Sequence, residues 1–208
     1  MTNKLAKIIS YLFHPIFLPF YFFIFLYYIS PSSLYLNAFS IRNFFTLSLI
    51  ILIYTCIFPI LLVYWLFKKN HISSLHIDQR NERPKVYFLI AGFYLALSYF
   101  LFAKGGILKP TSIILILMST NIIGLGLISF ISKISAHIAA ISGTLGICLM
   151  LNINFDEGSL FKPIIYILIL TGFIASSRLK LGAHTLNQIL LGFFWGLFNS
   201  IIGFIFLF

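Results

Sequence analysis

Long apolar runs separated by short polar joints constrain this chain more than any other feature. A helix of about 20 apolar residues spans the hydrocarbon core of a bilayer, and inside lipid it satisfies its own backbone hydrogen bonds. The chain has 208 residues, of which 61% are apolar and only 9% are charged, a composition too apolar for a soluble domain of this length. The sequence therefore predicts an all-α fold, a multi-span transmembrane helical bundle of about six or seven spans in the cell membrane.

Seven spans can be placed on the sequence, and together they predict a single integral membrane domain over residues 1–208. Residues 1–67 hold two N-terminal spans, and residues 68–208 hold the core. The first span follows Lys4 and Lys7, but its apolar stretch is too long for a signal peptide, so we interpret it as an uncleaved anchor. The predicted spans are 8–30, 45–67, 85–103, 111–131, 135–153, 163–177 and 185–208.

The positive charge of the chain predicts membrane lipids as partners. The formal net charge is +10, but the Lys and Arg residues lie at the ends of spans and not along one basic face. Anionic lipid head groups are therefore the expected partner, and nucleic acid is not. Cys56 and Cys148 fall inside apolar runs, which argues against a disulfide framework or a thiolate metal site. The histidines show no metal-ligand spacing, so no metal and no cofactor are expected, while a homo-oligomer stays open.

Three polar joints are expected to meet at one site. They cover residues 68–84, 132–137 and 177–184, and two predicted spans separate each joint from the next. An even number of crossings returns the chain to the same face of the membrane. The three joints therefore lie on one side of the bilayer, as a single site requires.

The side of the membrane that carries this face stays open. Ten of the 14 Lys and Arg residues lie on the face of the three joints and four on the other, which by the positive-inside rule favours the cytoplasm. When Arg80, Arg83 and Arg178 are set aside as site residues, seven cations remain against four, and the bias weakens.

The second joint ends in Ser135 and His137 at the predicted start of a span. A helix N-terminus offers free N–H groups and a positive dipole end to a phosphate, and Ser135 adds a hydroxyl group. If the bound phosphate is an ester that is cleaved, His137 would reach its leaving-group oxygen and protonate it as a general acid. A serine cap followed by an interfacial histidine is the structural alternative.

The first joint ends in Arg80 and Arg83, one helical turn apart at the entry to the third span. A guanidinium group binds phosphate oxygens in a bidentate way that an ammonium group cannot. Asp78 and Glu82 are candidate ion-pair partners for the two arginines. Basic residues at a membrane interface without any such role are also common.

The third joint carries the most specific pattern in the chain. Ser177-Arg178 is followed by five residues, His184, three residues and Gln188. This pattern resembles the last signature of the type 2 phosphatidic acid phosphatase superfamily, which reads Ser-Arg, five residues, His, three residues, Asp. Gln188 stands at the acidic position and is the main departure from the signature. It follows His184 by four residues, one helical turn, so we expect its side chain to reach the imidazole ring.

The other two joints resemble the remaining signatures of the same superfamily in the same order. Ile134-Ser-Ala-His137 resembles the middle signature, Pro-Ser-Gly-His, without its proline and glycine. Arg83-Pro84 resembles the end of the first signature, Lys, six residues, Arg-Pro, with His76 at the lysine position. Arg80 is a candidate for the missing cation.

This resemblance, which covers His76 to Gln188, implies a helical core shared with the vanadium-dependent haloperoxidases. It implies an integral membrane phosphatase acting on a lipid phosphate or diphosphate of the isoprenoid or phosphatidate type, with no metal ion. In that mechanism His184 is the nucleophile and forms a phosphohistidine, His137 is the general acid, and Gln188 orients the nucleophile. The phosphate-binding residues implied are Arg83, Arg178, Ser135, Arg80 and His76.

Two other functions are compatible with the sequence. The first is a catalytically weak or inactive relative that binds anionic lipid or a partner membrane protein. The second is a small transporter, which is disfavoured because the four Asp and Glu residues all lie in joints and none in a span.

Small and amide side chains in the apolar runs predict contacts between helices. Gly192 and Gly196 form a small-xxx-small motif in the last span, which permits close approach of a neighbouring helix. Asn121 and Asn199 are expected to form hydrogen bonds across helices.

Overall fold

A computed structural model describes residues 1–155 and 158–208, and these residues form helices with no β-strand among them. Asp156 and Glu157, which the sequence assigns to a joint, lie outside the described residues. A π-helical turn, Ile53–Ile57, joins the third helix to the fourth. The α-helices are α1 (Asn3–Leu12), α2 (Leu18–Ile29), α3 (Ile41–Leu52), α4 (Phe58–Lys68), α5 (Arg83–Lys104), α6 (Lys109–Ser129), α7 (Ala136–Phe155), α8 (Phe161–Lys180) and α9 (Leu186–Leu207).

Six helical segments of the described chain are long and apolar enough to cross a membrane, which agrees with the predicted helical membrane bundle. α3, the π turn and α4 together form the first of them. The segments are Ile41–Lys68, Arg80–Lys104, Gly106–Ser129, Ala136–Phe155, Phe161–Lys180 and Leu186–Leu207.

The prediction of one continuous span over residues 8–30 is wrong. The structure has two short helices there, α1 and α2, of 10 and 12 residues. At 1.5 Å per residue, neither reaches the roughly 30 Å of the hydrocarbon core. The break falls at Pro15, because proline has no N–H group and disfavours helical geometry in the residue before it, His14.

The sixth predicted span, 163–177, is longer in the structure. α8 runs over Phe161–Lys180, so that Arg178 lies in its last turn and not in a loop. Gly182 follows in the left-handed region with φ +62°, which glycine adopts without strain. The Ala183 N–H then donates to the Arg178 carbonyl at 3.1 Å, and this closes the end of the helix.

Two glycines let α9 lie directly against α7, and this confirms the close approach predicted from the small-xxx-small motif. A Cβ atom at Gly196 would lie 2.1 Å from the Ala139 carbonyl oxygen, and one at Gly192 would lie 2.8 Å from the Ser135 carbonyl oxygen. The Ser135 N–H also donates to the Gln188 carbonyl at 3.3 Å. The close contact thus fixes the second joint beside the start of α9.

Two asparagine side chains also join the helices, as predicted. Asn121 Nδ2 on α6 donates to the Ala139 carbonyl of α7 at 2.9 Å. Asn199 Nδ2 on α9 donates to the Leu117 carbonyl of α6 at 3.3 Å. These bonds and the glycine contact hold α6, α7 and α9 in one arrangement.

The α7–α9 contact generates a test of stability. Gly196→Ala would push the new methyl group into a backbone carbonyl, so we expect a loss of about 1–3 kcal/mol, the usual cost of overpacking. Thermal unfolding of the protein in detergent measures it. Gly172→Ala on α8 is the matched control, because a Cβ atom there meets nothing within 4 Å. Equal melting temperatures for the two variants would contradict the close contact.

Candidate functional site

One cavity of about 940 Å³ is lined by residues of all three joints. The convergence predicted from the even number of spans is therefore present in the structure. The first joint contributes His76, Asp78 and Arg83, the second contributes Lys133, Ala136 and His137, and the third contributes Arg178, Leu181, Gly182, Ala183 and His184.

Three of the predicted site residues do not line this cavity. Ser135 is completely buried, and its hydroxyl oxygen has no hydrogen-bond partner among the described residues. Arg80 is exposed, and its guanidinium group donates to the Ile131 carbonyl. Gln188 lies against His184. The remaining five, His76, Arg83, His137, Arg178 and His184, all face the cavity.

Arg83 is buried at the wall of the cavity and is held by two backbone carbonyls. Its Nε donates to the Ile77 carbonyl at 3.0 Å, and its Nη1 donates to the Ile134 carbonyl at 3.1 Å. Ile77 has a φ of 51°, a left-handed conformation that is costly for a β-branched residue. The first joint is therefore folded back so that the Ile77 carbonyl meets the guanidinium group. The other N–H groups of Arg83 have no hydrogen-bond partner among the described residues.

Arg178 reaches the same cavity from the end of α8. Its Nη1 donates to the Ser10 hydroxyl oxygen at 2.6 Å. Its Nε is buried without a hydrogen-bond partner within the described part of the chain. A buried cationic N–H without an acceptor is costly, and an anionic ligand in the cavity would supply one.

His184 is held in one tautomer by Gln188. Gln188 Oε1 accepts the Thr185 N–H at 3.3 Å, which identifies it as the oxygen of the amide. His184 Nδ1 lies 3.0 Å from the same oxygen, so in the neutral ring Nδ1 carries the proton. The lone pair is then on Nε2. The contact predicted from the four-residue spacing is present, and Gln188 also completes a capping box with Thr185 at the start of α9.

His137 is bonded to a part of the chain outside the three joints. Its Nε2 lies 3.1 Å from the Ser10 carbonyl oxygen. A carbonyl only accepts, so Nε2 is the donor and, in the neutral ring, Nδ1 has the lone pair. The single N–H group of the neutral ring is therefore directed toward α1 and not toward a ligand.

The two carboxylates of the first joint bond to serines and not to the arginines. Asp78 Oδ2 accepts from the Ser74 hydroxyl at 2.9 Å. Glu82 accepts from the Ser73 N–H at 2.8 Å and from its hydroxyl at 3.1 Å. The expected Arg–carboxylate pairs are thus replaced by contacts within the joint.

The cavity combines a cationic end with an apolar interior. Its described lining carries the cations Lys7, Arg83, Lys133 and Arg178 against one carboxylate, Asp78. Such an excess of positive charge in a partly enclosed site favours anions. The interior is lined by side chains of α5, α6 and α7, among them Tyr94, Met118, Ile122, Leu125 and Ile147.

Sequence reasoning missed the contribution of the N-terminal segment. Lys7, Ser10 and His14 line the cavity, although the segment was interpreted only as an anchor. A signal was available, because a histidine directly before Pro15 is unusual within an apolar run. Its meaning depends on the position of α1 against α8, which local sequence does not specify.

A search of the described residues for groups of three or more His, Cys, Asp or Glu side chains that could hold a metal ion finds none. The expectation of a metal-independent site stays a prediction, and treatment with a chelator tests it.

Comparisons of the chain with protein-family models, with curated proteins and with solved structures find no match. The resemblance to the type 2 phosphatidic acid phosphatases rests on the motif residues themselves.

Two half-buried histidines of the cavity generate a prediction about pH. Burial, together with the charge of Arg178, lowers the pKa of both His14 and His184 to about 4 from the ordinary 6.5. Between these values the unfolded chain binds more protons than the folded protein, so the free energy of unfolding falls as the pH drops from 6.5 to 4. The melting temperature of the protein should therefore decrease as the pH is lowered across this window.

The melting temperature of the double variant His14→Gln/His184→Gln should fall less over the same pH range. His71→Gln is the control, because His71 is exposed and does not line the cavity. If the melting temperature of the double variant falls with pH as steeply as that of the control, protonation of His14 and His184 is not the cause of the decrease.

Proposed function

We propose that this protein is an integral membrane phosphatase of the cell membrane that hydrolyses a lipid phosphate or diphosphate of the isoprenoid or phosphatidate type. In this proposal residues 68–208 form a core like that of the type 2 phosphatidic acid phosphatases. The observation that carries the proposal is the single cavity in which Arg83, Arg178 and His184 meet, because these residues come from two joints that are about 100 residues apart in sequence.

The shape and charge of the cavity suit an amphiphilic anion. The phosphate head group would lie against Arg83, Arg178 and Lys133, where the unpaired Nε of Arg178 gains an acceptor. The lipid tail would occupy the apolar interior between α5, α6 and α7. A volume of about 940 Å³ is at the upper end of the range for small-molecule sites, which leaves room for part of a tail as well as the head group.

The tautomer of His184 suits nucleophilic attack on phosphorus. Its Nε2 lone pair would form a P–N bond while the bond between phosphorus and the leaving oxygen breaks. The two arginines would stabilise the negative charge on the equatorial oxygens. Water would then attack the phosphohistidine, releasing inorganic phosphate and restoring the neutral ring.

Proton transfer to the leaving oxygen needs a change at His137. Its Nε2–H is donated to the Ser10 carbonyl, so His137 acts as the general acid only after a second proton is added at Nδ1, and it is this Nδ1 proton that passes to the leaving oxygen. A diphosphate needs this proton less, because inorganic phosphate and phosphate esters leave more readily than alkoxides.

Removal of the nucleophile tests the proposal directly. Purified protein should release phosphate from at least one member of a panel of lipid phosphates and diphosphates, and a chelator should not inhibit it. His184→Ala should lower this turnover by at least about 10⁴-fold, while His71→Ala should not change it. The melting temperatures of both variants are measured first, to show that each is folded as stably as the wild type. Turnover that persists in His184→Ala would mean that the nucleophile lies elsewhere.

The glutamine at position 188 generates a second test. Its carbonyl fixes the tautomer of His184 but supplies no negative charge to stabilise the ring as it attacks. By analogy with weakened catalytic triads, the missing charge costs roughly 10²- to 10⁴-fold in rate. Gln188→Asp should therefore raise kcat, and Gln188→Glu is the companion variant that keeps the side-chain length and the capping box. Lower turnover in both variants would show that the site depends on glutamine.

A non-catalytic protein that binds anionic lipid is the alternative. The double role of Gln188, which caps α9 and also orients His184, favours it, because the residue has a structural reason to be present. Binding of a lipid phosphate without phosphate release in either the wild type or the Gln188 variants would support this alternative.

A further inference from the structure

The N-terminal segment, residues 1–17, contacts the site through consecutive turns of α1. The Ser177 hydroxyl donates to the Ala6 carbonyl at 2.7 Å. One turn further along α1, Ser10 accepts Arg178 Nη1 on its hydroxyl at 2.6 Å and His137 Nε2 on its carbonyl at 3.1 Å. Ser10 thus sets the orientation of two side chains that come from different joints.

His14 lies one turn beyond Ser10, where α1 has ended. Its ring packs edge-on against the ring of His137, with the centroids 5.1 Å apart and the planes at 83°. It lines the same cavity as Arg178 and His184.

The backbone fixes the tautomer of His14. The Ile16 N–H donates to His14 Nδ1 at 3.3 Å, so Nδ1 is an acceptor and the proton is on Nε2. Nε2 has no hydrogen-bond partner among the residues that the structure describes. His14 therefore offers to the cavity an N–H donor that His137, bonded to Ser10, does not.

We infer that His14 is a further phosphate-binding residue of this site, which donates its Nε2–H to a phosphoryl oxygen of the ligand, and that Ser10 positions Arg178 and His137 around the same group. This inference rests on the proposed function for the class of ligand. It extends the site to a segment that lies outside the resemblance to the phosphatase signatures.

The electrostatics agree with a neutral donor. Burial, with the charges of Arg178 and His76, lowers the pKa of His14 to about 4, so the ring is neutral near pH 7. A neutral ring with Nδ1 bonded to the backbone keeps Nε2–H fixed as a donor. A bound phosphoryl group would accept from it alongside the guanidinium group of Arg178, and a hydrogen bond to a charged group contributes more than one between neutral groups.

The test measures binding and turnover separately in the full chain. The dissociation constant for inorganic vanadate, a mimic of the phosphoryl group in transfer, is measured by calorimetry on protein in lipid nanodiscs. Phosphate release from the lipid panel gives KM and kcat on the same samples. The variants are His14→Ala, His14→Gln, whose amide keeps an N–H donor, and Ser10→Ala, with His71→Ala as the matched control.

His14→Ala should weaken vanadate binding by about 10- to 100-fold, as expected when a donor to a charged group is lost. His14→Gln should recover part of the loss, which a purely structural role would not produce. Ser10→Ala should lower kcat more than it changes KM, because it releases Arg178 without removing it. His71→Ala should bind and turn over like the wild type.

The outcomes separate this inference from the proposed function. If the wild type releases phosphate and His14→Ala matches the control in both binding and turnover, His14 is not a ligand and the phosphatase stands. If vanadate binds and His14→Ala weakens it, but no lipid phosphate is hydrolysed, the binding role stands and the phosphatase falls. If the folded wild type neither binds vanadate nor releases phosphate, both are overturned.

Discussion

A guanidinium group inside an apolar bundle must find hydrogen-bond acceptors, and this requirement organises the site end of the molecule. The chain has only four Asp and Glu residues for 14 Lys and Arg, and the structure uses oxygens of other kinds for its buried arginines. Arg83 takes two backbone carbonyls, one from its own joint and one from the next, and Arg178 takes the hydroxyl of Ser10. Each arginine thereby joins segments that are distant in sequence. Among the described residues no carboxylate forms a hydrogen-bonded ion pair with either arginine, so their charge remains available to an anion.

Three of the four histidines that line the cavity are each oriented by a different partner. The side-chain amide of Gln188 orients His184, and the Ser10 carbonyl on α1 orients His137. The backbone N–H of Ile16 orients His14. The lone pair or the N–H group that each ring presents follows from these partners and not from the residue type. This explains why the proposed nucleophile fits its role while the proposed general acid needs a second proton at Nδ1, and why the neutral ring of His14 is the better donor in this arrangement.

The close contact of α7 with α9 determines how near the second and third joints come to each other. Gly192 and Gly196 allow backbone contact, and the bond from Ser135 N–H to the Gln188 carbonyl follows from it. Ser135 lies at this contact, is completely buried and does not line the cavity. The serine that the motif assigns to the phosphate therefore does not face it.

The sequence by itself determined the features that depend on local periodicity. The length of the apolar runs specified the helical spans, the even number of spans placed three joints on one face, and the four-residue spacing gave the contact of Gln188 with His184. The length of the apolar run did not predict the structure of residues 8–30, because Pro15 divides this run into two short helices.

Only the tertiary structure decided which oxygen atoms the buried polar groups meet. The contact of Ser10 with Arg178 and His137 joins residues 168 and 127 positions apart in the chain. Such pairings follow from the packing of α1 on α8 and of α7 on α9, which brings together groups without any local pattern. The sequence could therefore nominate His137 and His184, but the place of Ser10 and His14 beside them depends on how the helices pack.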